Sequence, residues 1–471
     1  MYIVNWLLDK RNVEGVLEVM LTYELKKAPG LPLYEALYRC IRSDILSGRL
    51  PAGHRLPSKR ALAQHLEVSK STVEKAYDHL CDEGYIRSAE KVGYFVEEGR
   101  TRPAPSPAPA AVATAAEKPL LDLTANTPAQ FPFSVWSRLQ RQVLLDHGHQ
   151  LLNPLPSVGC ADLRRAIADH LAAFRGMEVD PENIIVGAGT DHLYNLLPQL
   201  LGHDLVYALE EPGYEKIYRT YAAAGVQLHR AAMDSRGIIP ASLGQARVLH
   251  FSPAHHFPTG TVTDLARRQE LLNWAEHGEN WIIEDDYDCE FRFRGHPMPT
   301  LYGRSDRVIY INSFSKSMAP SIRMGYMVLP PSLMAVFREK LGFYTGTVSG
   351  FEQHTLARFL GEGYFEQHIN RMRKFYKLQR NRLVQMIGSC PQRERLTIEE
   401  ADAGLHFLVK VDTTLSDEAL TSYCAGLGVK IRTLSSYYHG QPPQESLHRI
   451  VVNYSGLQDE DLEKLAIILS T

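Results

Sequence analysis

The chain has no C-x-x-C pair and no regular spacing among its six cysteines, Cys40, Cys81, Cys160, Cys289, Cys390 and Cys424. That argues against a disulfide framework or a cysteine-rich zinc site. It fits a reducing cytosol, so a cytoplasmic protein without a metal is expected. No apolar run approaches the ~20 residues that a membrane helix needs. The apolar start, Met1 to Leu8, is followed by Asp9, Lys10 and Arg11, whereas a secretory signal carries its basic residues first. A large excess of one charge is also missing. The formal net charge is -3, so any nucleic-acid site has to be local. There is no internal repeat. What is present is a chain of 471 residues, 44% of them apolar. It is too long for one ordinary domain, and two or three are expected.

The clearest boundary is Thr101 to Pro119, which holds five prolines and seven alanines in 19 residues. Proline continues neither a helix nor a ladder, and this stretch has little to bury. As an extended tether it spans at most about 60 Å at ~3.1 Å per residue. A passive spacer is the plain reading; a tether that lets two domains reorient or reach another subunit is the sharper one. The expected division is an N-terminal extension over 1–30, a head over 31–97, a linker over 98–119 and a body over 120–471. The body should end in a smaller α+β part from about residue 400.

In the head, Leu33, Leu37, Ile41, Ile45 and Leu46 recur at helical spacing over Leu33 to Leu46. A second helix is expected from Lys59 to Leu66 with Ser58 as its N-cap. A third follows Ser69, with Val73, Ala76, Tyr77 and Leu80 on one face and Gly84 as its stop. Tyr85-Ile86-Arg87 and Gly93-Tyr94-Phe95-Val96 read as a hairpin. Three helices and a hairpin in about 65 residues make a winged helix-turn-helix. Its third helix would enter the major groove with the turn Ser69-Lys70-Ser71-Thr72, where Lys70 can take a phosphate or guanine and the hydroxyls can take either. From Arg49 to Lys75 there are six basic residues (Arg49, Arg55, Lys59, Arg60, Lys70, Lys75) and two acidic ones (Glu67, Glu74), a local balance of +4. Phosphate binding needs such a patch. The plain alternative is a solvated basic face.

In the body, short apolar strands (Asn183 to Gly187, Val248 to Ser252, Trp281 to Glu284, Val308 to Asn312, Met327 to Leu329) are separated by helical segments such as Ala161 to Phe174, Asp264 to His277 and Phe351 to Leu360. This is an α/β pattern with a mostly parallel sheet. The tail adds strands at His406 to Val411, Val429 to Arg432 and Ile450 to Tyr454.

The chemistry centres on Ser313-Phe314-Ser315-Lys316-Ser317-Met318 and Arg323, seven positions after Lys316. A lysine that follows a buried strand, among hydroxyls and with an arginine near, suits an internal aldimine with pyridoxal 5′-phosphate (PLP). Ile282-Ile283-Glu284-Asp285-Asp286-Tyr287 places carboxylates and a phenol at a strand end, where one acid can keep the pyridine nitrogen protonated and the phenol can bind the ring oxygen. Structural ion pairs are the alternative for these acids. Gly187-Ala188-Gly189-Thr190 precedes a helix, and its N–H groups suit a phosphate. Glu211-Pro212-Gly213-Tyr214 and His256-Phe257-Pro258-Thr259-Gly260 are further loops after strands, where open α/β sheets bind ligands.

The head resembles the DNA-binding domain of the GntR family over Leu31 to Val96. The likeness rests on Pro32-Leu33-Tyr34, on Gly53 to Ala63 and on Ser69 to Tyr77. It implies DNA contacts from Arg60, Ser69 and Lys70 and from the wing around Lys91 to Gly93; Arg55, Ser58, Ser71 and Thr72 are further candidates for DNA contact. Some members carry a DNA-contacting arginine where this chain has Glu74. From about Pro119 to Ser470 the motifs resemble fold-type I aminotransferases, so the whole chain is similar to the MocR (GabR-like) subfamily of GntR regulators.

That resemblance implies PLP on Lys316, Asp285 on the pyridine nitrogen, Tyr287 on the ring oxygen and Tyr214 stacked on the ring. Gly189, Thr190, Ser313 and Arg323 would hold the phosphate. It implies a homodimer that binds operator DNA and senses PLP or a small amino compound. The alternative is a working aminotransferase, amino acid to 2-oxo acid, with an accessory head.

Four departures stand out. No tyrosine lies in Asn153 to Val158, where aminotransferases usually carry one. Asp191 and His256 stand where glutamine is common. Valine stands at 451, the usual place of the carboxylate-gripping arginine, which leaves Arg449 and Arg432 as candidates for effector binding. Weak or no transaminase turnover is therefore expected. Residues 1–19 are expected to lie outside the functional unit, because Met20 runs directly into the GntR-like pattern; a genuine helix on the head is the alternative.

Overall fold

Ser58 and Ser69 each open a helix by accepting a backbone N–H three residues on, from Ala61 and Thr72. These caps satisfy donors that the first turn leaves unpaired. They start α2 and α3 of the head, whose helices are α1 (Leu33–Leu46), α2 (Lys59–His65) and α3 (Lys70–Asp82). The strands β1 (Arg55–Leu56), β2 (Ile86–Ala89) and β3 (Gly93–Val96) form an antiparallel sheet in the order β1-β3-β2. Leu37, Ile41, Leu62, Val73, Tyr77 and Leu80 close one apolar core. Each buried side chain of this kind contributes roughly 1.5–3 kcal/mol. Leu21 is buried in that core and Tyr23 donates to Asp44, so the packing begins upstream of the expected start at residue 31.

The structure is a computed structural model that describes residues 21–23, 25, 32–89, 92–97, 121–124, 130–292, 299–399 and 404–470. The expectations for residues 1–19, for the proline-alanine linker and for Lys91 fall outside them. The chain divides between Ala116 and Glu117 into two units. No described helix is long and apolar enough to cross a membrane.

The body opens with β4 (Leu121–Asp122), α4 (Phe133–His147) and α5 (Ala161–Arg175). Its main sheet has eight strands: β5 (Ile184–Gly187), β6 (Val206–Glu211), β7 (Gln227–Asp234), β8 (Gly237–Ile238), β9 (Val248–Phe251), β10 (Trp281–Asp285), β11 (Val308–Ser313) and β12 (Gly325–Val328). They lie in the order β5-β12-β11-β10-β9-β6-β7-β8. Neighbours from β7 to β11 run parallel, while β12 is antiparallel to both β11 and β5. The central strands are buried on both faces, which is why β10 and β11 read as near-continuous apolar runs. Periodicity does not reveal β6 and β7. Both end in polar residues, and β7 is half exposed and mixes His229 and Arg230 with its apolar positions. The strand expected over Met327 to Leu329 starts earlier, at Gly325.

Helices α6 (Thr190–Leu201), α7 (Glu215–Ala223), α8 (Leu265–His277), α9 (Pro331–Leu341), α10 (Gly350–Gly361) and α11 (Tyr364–Ser389) flank the sheet or follow it. The C-terminal part holds β13 (Leu396–Glu399), β14 (His406–Val411), α12 (Asp417–Gly426), β15 (Val429–Lys430), β16 (Arg449–Asn453) and α13 (Asp459–Ser470). It forms the antiparallel sheet β13-β14-β16. It is not a purely C-terminal lobe, because β15 pairs in parallel with β4 from the start of the body.

Candidate functional site

Register brings the distant motifs to one edge. Asp285 at the end of β10 lies opposite Ile311 of β11. Ser313, two residues further on, lies opposite Gly325 of β12, which in turn lies opposite Gly187 at the end of β5. The acid strand, the lysine turn and the glycine turn therefore share one end of the sheet, where open α/β sheets place ligands.

Alternation along β10 and into the residue after it sorts the three acids Glu284, Asp285 and Asp286. Asp286 pairs with the buried Arg175 at 2.8 Å and accepts from Tyr310. Glu284 accepts from the backbone of Leu301 and Tyr302 and has Arg268 at 3.9 Å, while burial pushes its carboxyl up to about 7. These two are the structural ion pairs. Asp285 faces the other way and has no arginine beside it among the described residues. Its Oδ2 accepts from Tyr194 and lies 3.4 Å from Nε2 of His250, and its Oδ1 is buried without a partner. Tyr194 and His250 were not singled out from the sequence. Tyr194 stands one helical turn beyond Thr190, and that spacing is the only local signal.

Lys316 sits in the turn after β11. Phe314 and Met318 anchor that turn in the core, and His368 bonds to the Ser317 carbonyl at 2.9 Å. Burial pushes the Lys316 amine down to about 8, with the Asp288 carboxylate opposing. Tyr287 is half-buried; its hydroxyl lies 3.2 Å from Nδ1 of His255, which also meets Asp288 at 2.9 Å.

Gly189 caps α6 at φ 79°, and Arg323 adopts a left-handed φ of 48°. Gly189 suits its positive φ, and a side chain there would stand 2.9 Å from Nη2 of Arg323 and push the guanidinium away from this loop. Thr190 begins α6. Tyr214, half exposed, caps α7 and meets Phe257 edge to face at 5.7 Å.

In the head, Arg60, Ser69, Lys70 and Ser71 are exposed, and Thr72 is half-buried. Ser69 Oγ ties together the first turn of α3, 2.8 Å from the hydroxyls of Ser71 and Thr72. Ser58 caps α2. Arg55 reaches from β1 to the wing, donates to the Val92 carbonyl at 2.8 Å and lies against Gly93. Acids from beyond the counted window offset part of the local +4. Asp44 and Asp78 lie outside the window from Arg49 to Lys75, and they fold onto Arg49 (2.8 Å) and Lys59 (3.5 Å). Lys59 also meets Glu74 at 3.0 Å. The exposed basic side chains of α2 and α3 besides the histidines are Arg60 on α2 and Lys70 and Lys75 on α3, the last over the Tyr34 ring.

Residues 33–96 match the family described as bacterial regulatory proteins, gntR family, and residues 118–469 match aminotransferase class I and II. The chain is 32% identical to the probable rhizopine catabolism regulatory protein MocR of Rhizobium meliloti, over 93% of each chain. It is 34% identical to the uncharacterized HTH-type transcriptional regulator YdeL of Bacillus subtilis, over 93% of this chain and 96% of that one. The HTH-type pyridoxine biosynthesis transcriptional regulator PdxR of Corynebacterium glutamicum is 30% identical, over 89% and 91%. The chain belongs to the MocR-type GntR family of transcription regulators.

The body of this MocR-type regulator has the fold of solved aminotransferases. An archaeal alanine:glyoxylate aminotransferase superposes with a TM-score of 0.65 at 21% identity, over 74% of this chain and 90% of that one. The α-aminoadipate aminotransferase LysN of Thermus thermophilus gives 0.64 at 21%, over 74% and 91%.

Against that fold, the departures of this MocR-type chain have structural settings. Val451 is buried with Leu408, Leu434 and Tyr437. Arg449 is gripped by both oxygens of Glu399, at 2.7 and 3.2 Å. Arg432 lies 4.0 Å over the Tyr437 ring and 3.9 Å from Glu215, the residue after Tyr214. Of the two arginines, Arg432 is the one near Tyr214. His256 is buried 3.6 Å from Glu210, and burial drives its imidazole down to about 3. Asp191 pairs with Lys216 and Arg323.

Proposed function

We propose that this regulator binds operator DNA through its head, holds PLP through Lys316, and changes its DNA affinity in response to an amino compound or to PLP itself. The observation that carries the reading is the Asp285 carboxylate, which has a buried oxygen without a partner and, unlike Asp286 and Glu284, no arginine beside it among the described residues. A buried carboxylate oxygen without a partner is costly unless a cation meets it, and a protonated pyridine nitrogen is such a cation. The remaining residues fit the same group. Lys316 has an amine shifted toward its neutral, nucleophilic form. Tyr287 serves the ring oxygen and Tyr214 covers the ring. Gly189, Thr190, Ser313 and Arg323 serve the phosphate at the start of α6.

When bound, PLP supplies an electrophilic aldehyde that takes primary amines. Arg432, beside Tyr214, is the group that would orient a ligand carboxylate. A ligand shifts DNA affinity only as far as it prefers one arrangement of the protein. We propose a homodimer as the working unit. In support, Phe133, Leu144, Leu145, Leu152, Phe343 and Phe351 of the body leave large apolar side chains exposed.

The test is spectroscopic and chemical. The purified protein should be yellow, borohydride should fix the cofactor to the peptide containing Lys316, and a responsive amine should alter both the spectrum and operator affinity. The same absorbance and labelling in Lys316→Ala would refute the assignment. The second reading, a working aminotransferase, is favoured by the presence of Lys316, Asp285 and Tyr287 together.

A further inference from the structure

Asp191 places an anion inside the cradle that a phosphate needs. Its carboxylate lies 2.7 Å from Nζ of Lys216 and 2.9 Å from Nη2 of Arg323. The same Nη2 reaches the Ala188 carbonyl at 3.2 Å, and Gly189 leaves room for the guanidinium there. Burial alone would raise the Asp191 carboxyl, but its bonds to Lys216 and Arg323 hold it below the usual carboxylate range, so it stays charged at neutral pH. The position is the second residue of α6, one step past Thr190.

An acid in the first turn of a helix is stabilising by itself, and the ion pairs are partly exposed, so a purely local role has to be set against a ligand-directed one. The decisive feature is which cation Asp191 engages. Arg323 is the only arginine that meets the Gly189 loop among the described residues, and in the proposed site it is the phosphate's cation. An amide at 191 would add a donor to the cradle; the carboxylate adds an acceptor and a negative charge.

We propose that Asp191 is a built-in counter-anion that competes with phosphoryl ligands for Arg323 and Lys216. Asp191 therefore loosens the hold on the phosphate of PLP. The proposal rests on the PLP reading above and deepens it, naming the residue that tunes how tightly the cofactor's phosphate is held.

The test separates phosphate binding from the covalent bond. In full-length Lys316→Ala protein, equilibrium dialysis measures the Kd for PLP, with pyridoxal, which lacks the phosphate, as control. Adding Asp191→Asn, and separately Asp191→Gln, should tighten PLP binding by about two- to fivefold, the size of one partly exposed charge contact. Pyridoxal binding should stay unchanged. With Lys316 intact, Asp191→Asn should also slow loss of the yellow cofactor during dialysis against inorganic phosphate. Equal or weaker PLP binding in both variants would overturn the proposal and make Asp191 an orienting residue for Arg323. Tightening of pyridoxal to the same extent would overturn it too, since the effect would not act through phosphate. Failure of the unmutated protein to bind PLP or to be labelled by borohydride would instead remove the cofactor site itself, and this proposal with it.

Discussion

Tyr194 donates its hydroxyl to Oδ2 of Asp285, and the other oxygen of that carboxylate is left buried without a partner. The two residues stand 91 positions apart in the chain. Asp285→Asn keeps the shape but loses the charge a pyridinium needs. It should fold normally yet shed PLP on dialysis. Tyr194→Phe removes a bond to a charged group and should lower the unfolding free energy by about 1.5–3 kcal/mol. Retention of PLP by Asp285→Asn at the level of the unmutated protein would show that this carboxylate does not serve the ring nitrogen.

The Lys316 amine titrates near pH 8 because burial disfavours its charged form. Lowering the pKa moves the appearance of the neutral nucleophile to lower pH. The rate at which cofactor-free protein captures PLP should rise with pH and level off above about 8. A rate still climbing steeply through pH 10 would mean that burial leaves this amine unshifted.

For DNA, the ion pairs in the head single out which cations count. Lys70→Ala should weaken operator binding and reduce the salt slope by roughly one unit if it neutralises one phosphate. The Lys70→Ala, Arg60→Ala double variant should lose more. Lys59→Ala should leave the slope nearly unchanged, because Glu74 and Asp78 already hold that lysine. A salt slope untouched in the double variant would place the DNA surface elsewhere.

Arg432 and Arg449 make opposite predictions. Arg432→Ala should weaken spectral responses to amines that carry a carboxylate and spare simple amines. Arg449→Ala should leave both responses alone and cost about 1 kcal/mol of stability, through loss of the pair with Glu399. Equal effects of Arg432→Ala on both ligand types would remove Arg432 from the site.

Turnover should be poor. Val451 is packed among apolar side chains, and no arginine is offered from that position. A substrate held in the wrong orientation can lose ~10²-fold in rate even when it binds. Steady-state assays with a 2-oxo acid should show little product, whereas rates around 1–10³ per second would promote the aminotransferase reading.

The sequence by itself determined the local features: the cap at Ser58, the apolar stripe of the third helix, the buried strands β10 and β11, and the motif residues Lys316, Asp285 and Arg323. Each is legible because its cause lies within a few residues, in periodicity, capping or turn chemistry. Tertiary structure supplied the reason Asp285 is the acid without an arginine, since arginines on α5 and α8 claim Asp286 and Glu284. It alone paired Tyr194 with Asp285 and engaged Arg449 with Glu399. The physical reason is that strand order and register bring together groups tens to hundreds of residues apart. Charge pairing acts through those distances in space, so no window along the chain contains both partners.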